Sequence, residues 1–173
     1  MKAIFFTEGG KGIGFGHALR CAAIKRAFEQ IGIKTELVVK GDESVARVLG
    51  RGSYTAKDWQ TGRAARLAAG ADIALIDSYL AGRKIYQEIA GAVSHCLYLD
   101  DCARFNYPGG TVINYNAYGP AMRNPRRRGA RYLLGTAYAP LRKEFMSAVA
   151  RKTRKNIRKA LLVFGGEDTA GLT

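Results

Sequence analysis

The chain has 173 residues, of which 47% are hydrophobic and 24% charged, with a formal net charge of +14. That length suits one domain of ordinary size with a core of its own, and the composition excludes a disordered chain. Met1-Lys2 runs straight into an apolar strand pattern with no leader-like segment, and no apolar run reaches the length of a membrane span, which points to a cytoplasmic protein.

The first apolar run, Ala3-Ile4-Phe5-Phe6, reads as a strand. It leads through Gly9-Gly10-Lys11-Gly12-Ile13-Gly14-Phe15-Gly16 into a helical pattern that begins at His17 and continues to about Gln30, with Leu19, Ala23, Ala27 and Ile31 as its apolar stripe and Gly32 as its stop. Glycine allows positive φ and close approach of backbone N–H groups to a ligand, and a helix N-terminus adds unpaired donors, so an anionic group such as phosphate is the natural guest. The spacing matches neither a P-loop, because Lys11 is followed by Gly12 rather than Ser or Thr, nor the G-x-G-x-x-G fingerprint. His17, one of two histidines, stands where a helix start favours the neutral imidazole and hence a general base.

Further along, Leu37-Val38-Val39 predicts a strand, Asp42 an N-cap, and residues 45–49 a short helix. Residues 53–59 admit a short strand, and Trp59 suits a packing role. Residues 62–69 suit a helix, and Asp72-Ile73-Ala74-Leu75-Ile76-Asp77 a buried strand. The next unit repeats the order, with a helix over residues 82–92 and a strand at Cys96-Leu97-Tyr98-Leu99 ending in Asp100-Asp101. His95 lies beside that strand and reads as structural. Neighbouring Asp100 and Asp101 would face opposite ways on a strand, which argues against a metal pair and for a loop cap plus one site residue. Cys21, Cys96 and Cys102 are odd in number and lack C-x-x-C spacing, so they read as free, mostly buried thiols. Thr111-Val112-Ile113-Asn114 and Tyr132-Leu133-Leu134 are further strands, flanking a polar aromatic loop and a basic loop. Pro140 suits the first turn of a helix through Phe145 and Val149. Ala160-Leu161-Leu162-Val163-Phe164 predicts a last buried strand followed by Gly165-Gly166. The expectation is α/β: a Rossmann-like, mostly parallel sheet with flanking helices over residues 1–158. Residues 159–173 would begin a second domain, or their strand would join the first sheet.

Charge is unevenly placed. Residues 123–159 hold thirteen Lys or Arg against one acidic residue, Glu144. Such a segment suits an anionic membrane surface, a polyanionic small substrate, or a solvated face. No nucleic-acid motif or interleaved aromatics accompany its most basic runs, which disfavours nucleic acid as the partner.

Taken in order, Ile13-Gly14-Phe15-Gly16-His17 with Arg20, Ile76-Asp77-Ser78-Tyr79, Leu99-Asp100-Asp101, Asn114-Tyr115-Asn116-Ala117-Tyr118, Gly135-Thr136-Ala137-Tyr138 with Leu141-Arg142-Lys143-Glu144-Phe145, and Phe164-Gly165-Gly166-Glu167-Asp168 resemble one family. That family is the UDP-2,4-diacetamido-2,4,6-trideoxy-β-L-altropyranose hydrolases of pseudaminic acid biosynthesis, with their spore coat polysaccharide relatives. The similarity covers essentially all of this chain and the N-terminal half of such a protein. It implies half of a GT-B-like fold, with the nucleotide held mainly by a C-terminal domain or partner chain. It also implies cleavage of the anomeric C–O bond by water, with no metal and no cofactor. His17 would orient or deprotonate the water, and Gly14, Phe15 and Gly16 would let sugar or diphosphate approach the backbone. Arg20, Asp77, Tyr79, Asp101, Asn114, Asn116 and Arg142 would line the substrate, and Gly165, Gly166 and Asp168 would open the nucleotide side. Ser78 stands where relatives can carry histidine, which bears on the sugar rather than on the reaction class. Two other readings stay open: a GT-B glycosyltransferase half, in which His17 activates an acceptor hydroxyl, and a non-enzymatic basic module.

Overall fold

A computed structural model describes residues 1–123, 129–147, 156, 159–162 and 171. Seven strands, β1 (Lys2–Gly9), β2 (Lys34–Gly41), β3 (Thr55–Ala56), β4 (Ile73–Asp77), β5 (His95–Leu99), β6 (Gly110–Asn114) and β7 (Ala130–Leu134), form one sheet in the order β3-β2-β1-β4-β5-β6-β7. Every adjacent pair is parallel. The helices are α1 (Gly16–Gln30), α2 (Ser44–Leu49), α3 (Ala64–Ala68), α4 (Arg83–Ala92) and α5 (Lys143–Met146). The chain is thus a doubly wound, Rossmann-like α/β domain. Its strand order reverses between β1 and β4, where such sheets open a crevice at the carboxyl ends of the strands.

The two faces of the central strands explain why the sheet is buried on both sides. Alternate residues of β1 point opposite ways. Ala3 and Phe5 join Cys21 of α1 with Leu37, Val39 and Leu75, while Ile4 and Phe6 join Trp59, Ala74, Ile76, Tyr86 and Tyr98. Trp59 is fully buried, and its indole N–H donates to the Thr7 carbonyl at 2.7 Å, so it closes the end of β1 as well as filling space. Gly41 is required at the end of β2, since a Cβ there would stand 2.1 Å from the Gly9 carbonyl oxygen.

The expected elements recur with three corrections, the first being that Glu43 rather than Asp42 is the N-cap of α2. Pro140 does not open the last helix: α5 begins at Lys143, with Arg142 as its N-cap in extended conformation, and the continuation toward Val149 lies outside the described residues. Ala160, Leu161 and Leu162 form no strand, and Leu161 and Leu162 are 89% and 61% exposed. An apolar run becomes a strand only beside a partner edge, and among the described residues none pairs beyond β7. Val163 and Phe164, the other half of that run, lie outside the described residues.

Candidate functional site at the strand-order switch

The loop from β1 to α1 closes on itself before the helix begins. Gly10 and Gly14 exchange N–H···O bonds of 3.1 and 2.8 Å, and the Ile13 N–H also returns to the Gly10 carbonyl at 3.1 Å. Gly14 turns with φ of 79°, in the left-handed region that suits glycine. The Lys11 N–H donates to Asp42 Oδ2 at 2.8 Å, and Asp42 also accepts the Ser44 N–H at 2.8 Å and the Ser44 hydroxyl. These donors hold the Asp42 carboxyl below the usual carboxylate range. The loop therefore spends several of the donors that the sequence offers to an anion. The first turn of α1 keeps its own: Phe15 is an N-cap without a side-chain cap, and no acidic residue occupies that turn. Phe15 and Gly16 thus sit at an uncompensated helix N-terminus, a favourable place for negative charge.

One turn into α1, His17 and Arg20 face the end of β4. His17 is 7% exposed, and its Nδ1 lies 2.7 Å from Asp77 Oδ1. Arg20 donates through Nε to Asp77 Oδ2 and through Nη2 to Asp77 Oδ1, each at 2.5 Å, and through Nη1 to the Tyr115 hydroxyl at 2.8 Å. Burial pushes the Asp77 carboxyl up, but the Arg20 and His17 hydrogen bonds outweigh it and hold the pKa below the ordinary value. Burial works against the Arg20 charge in turn, and the same carboxylate more than offsets it, so the arginine pKa is raised.

The imidazole has two tautomers in this setting. With the proton on Nδ1 it donates to Asp77 and leaves the Nε2 lone pair as a base. With the proton on Nε2, Nδ1 accepts from Arg20 Nη2, which lies 2.7 Å away. The Asp77 acceptor favours the first form, and a carboxylate behind one imidazole nitrogen is the arrangement that orients a histidine base.

Tyr79, just past β4, sets its ring against the imidazole at 4.5 Å between centroids and 89° between planes. It is 47% exposed, and its hydroxyl donates to both oxygens of Asp101 at 2.5 Å. Burial and the Asp101 carboxylate push its phenol pKa upward. On the other side of α1, Gly16, Leu19, Arg20, Tyr115, Arg142 and Phe145 line a groove of about 230 Å³. The Arg142 guanidinium stands 5.0 Å over the Phe145 ring there.

Gly14, Phe15, Gly16, His17, Arg20, Tyr79, Asp101 and Arg142 therefore gather at one end of the sheet, around the switch between β1 and β4. Asp77 is present but fully buried, with both oxygens committed to His17 and Arg20. Its expected place along the substrate thus falls behind His17 and Arg20, which stand between it and the surface. Asn114 is also fully buried, and its Oδ1 accepts the Asn116 N–H at 3.1 Å and the Asn116 side-chain amide at 3.2 Å. These bonds tie Asn114 and Asn116 together within their loop, with Asn114 enclosed and Asn116 half-buried. Gly165, Gly166 and Asp168 lie outside the described residues.

Asp100 is the expected loop cap, accepting from the N–H groups of Cys102 and Arg104 at 3.1 and 2.9 Å and from the Tyr107 hydroxyl at 2.9 Å. It stands beyond β5 rather than on it, so the alternation argued for strand residues does not apply. Ligand atoms of Asp100, Asp101 and Cys102 come within 4.8 Å of one another, with no further histidine or carboxylate beside them among the described residues. His95 lies at the opposite end of the sheet, its Nε2 3.0 Å from Thr111 Oγ1. Glu8 carried no motif signal, and Tyr115 stood in a motif without being singled out; the strand order brings Glu8 to the Tyr79 N–H and Tyr115 to Arg20.

No helix among the described residues is long and apolar enough to cross a membrane. Neither a protein-family model nor a curated protein matches this chain.

Proposed function

We propose that this chain is the acceptor-side half of a GT-B-like nucleotide-sugar hydrolase, acting on a UDP-activated amino or deoxy sugar. One observation carries the reading: the His17–Asp77 pair at the strand-order switch, with the uncapped start of α1 beside it. In this reading a water molecule attacks the anomeric carbon. His17 Nε2 takes the water proton, Asp77 steadies the imidazolium that forms, and the C–O bond to the diphosphate breaks with its electron pair leaving on UDP. The oxocarbenium-like transition state needs little nucleophilic push, so a positioned base supplies roughly 10²–10⁴-fold of the acceleration. Arg20 and Arg142 offer positive charge toward the departing diphosphate.

The test is UDP release from candidate UDP-sugars by a protein carrying this chain, run in ¹⁸O-labelled water. Label is expected in the sugar and none in UDP, and His17→Ala should lose the activity while keeping the fold. Label in UDP, or unchanged turnover in His17→Ala, refutes the mechanism.

A further inference from the structure

Glu8, the penultimate residue of β1, is a carboxylate with no exposed surface on the sheet face opposite Asp77. Its surroundings differ from a core position in one respect: four donors converge on it. Oε1 accepts the N–H groups of Tyr79 and Leu80 at 2.7 and 3.2 Å, and Oε2 accepts the Ser78 hydroxyl and the Gln60 amide, the latter at 2.6 Å. Three of the four belong to the three residues that follow β4. Burying a charge is costly unless it is fully hydrogen-bonded, so this carboxylate fixes the donors around it as firmly as they fix it.

We propose that Glu8 is a positioning residue of the site: it holds residues 78–80 so that the Tyr79 ring stands against His17 and forms the wall that a sugar ring meets. The two carboxylates then divide the labour across the sheet. Asp77 holds the imidazole from one face, Glu8 holds the tyrosine from the other, and the two rings meet at the switch. The Tyr79 hydroxyl on Asp101 fixes the far end of the ring, and the Arg104 guanidinium lies 5.9 Å from its centroid. Arg104 also donates to the Ser78 carbonyl, as does the Tyr86 hydroxyl at 2.9 Å, so the loop's acceptors are held as well as its donors. The sugar-wall part of this assignment rests on the hydrolase reading; the ring placement does not.

The chain's two histidines make the test direct. In NMR spectra of the whole chain, the carbon-bound ring protons of His17 carry a ring-current shift from Tyr79, which Tyr79→Leu removes. Glu8→Gln, which keeps the shape and loses two acceptor sites, is expected to move the His17 resonances in the same direction while those of His95 stay. Ser78→Ala, a milder loss of the same cluster, should move them less, and decides the matter if Glu8→Gln does not fold. His17 resonances unmoved in the folded variants overturn the proposal. Where a UDP-sugar is turned over, Glu8→Gln should cost roughly 10-fold or more in kcat/KM, carried mainly by KM. A loss confined to kcat overturns the sugar-wall assignment. Absence of turnover in the unaltered protein counts against the hydrolase reading alone, and the resonances still decide the role of Glu8.

Discussion

Asp77→Asn isolates the charge of the central pair while keeping its shape. The amide oxygen can still accept from Arg20, but its NH₂ donates, so the Nδ1–H of His17 loses its acceptor. Arg20 Nη2, 2.7 Å from Nδ1, becomes the better partner. The imidazole should then carry its proton on Nε2, where the base is needed. Loss of that base is worth about 10²–10⁴ in kcat, or about 2.7–5.4 kcal/mol of barrier. Stability should fall too. One charge-assisted hydrogen bond is worth about 1.5–3 kcal/mol, and stripping a buried pair of one partner costs about 3–5 kcal/mol, so a loss of roughly 2–4 kcal/mol is expected. Urea denaturation measures it, and pH supplies the check on cause. Because the folded pKa of Asp77 is depressed, its contribution is present above the unfolded value of ~3.9 and is lost as pH falls through the lower folded value. The stability gap between the wild type and Asp77→Asn should therefore narrow as pH drops below about 4. A constant gap from neutral to acid pH, or wild-type kcat in a folded variant, would refute the reasoning.

Two further outcomes follow from packing and burial. Gly41→Ala places a methyl 2.1 Å from the Gly9 carbonyl oxygen and 2.8 Å from Val45 Cγ2, so β1 and β2 must separate; a loss of about 1–3 kcal/mol in chemical denaturation is expected, and an unaffected midpoint would contradict the strand pairing. A thiol reagent should label only Cys102 in the folded protein. That labelling should be slow near neutral pH, because burial and then Asp100 and Asp101 push its thiol up to about 11, while Cys21 and Cys96 should react only on unfolding; fast labelling of three thiols would refute the described core.

What could be read in the sequence was whatever depends on neighbours along the chain. The apolar run Ile73-Ala74-Leu75-Ile76 and the helical stripe after His17 carry their own periodicity, and both elements lie where that periodicity puts them. His17 and Asp77 could each be singled out, but their contact depends on β4 lying next to β1, which no local pattern encodes. Glu8 shows the limit best. A glutamate at the end of a strand reads as the point where the chain meets solvent, and only the placement of residues 78–80 over it makes it buried. The Leu161-Leu162 run fails in the reverse direction, because its hydrophobicity suits a strand and the partner edge is what it lacks among the described residues. Asn114, which the resemblance would set along the substrate, is buried because its own loop folds back onto it, and that burial is equally invisible along the chain.

The parallel arrangement of β1 and β4 also sets the order in which the site can be made. Sixty residues separate His17 from Asp77, and seventy separate Glu8 from Ser78, with no hairpin to bring either pair together early. At synthesis rates of about 5–20 residues per second, α1 waits roughly 3–12 s before the strand that orients its histidine has been made. Until then Phe5 and Cys21 have no Leu75 to pack against, and the β1 edge destined for β4 is open. Closing this central pair is a long-range step of the kind that limits folding rates, so while it is being synthesised the unfinished chain exposes one edge of a strand that ends up buried. A long-range closing step is thus built into the placement of the histidine and its carboxylate on different β/α units.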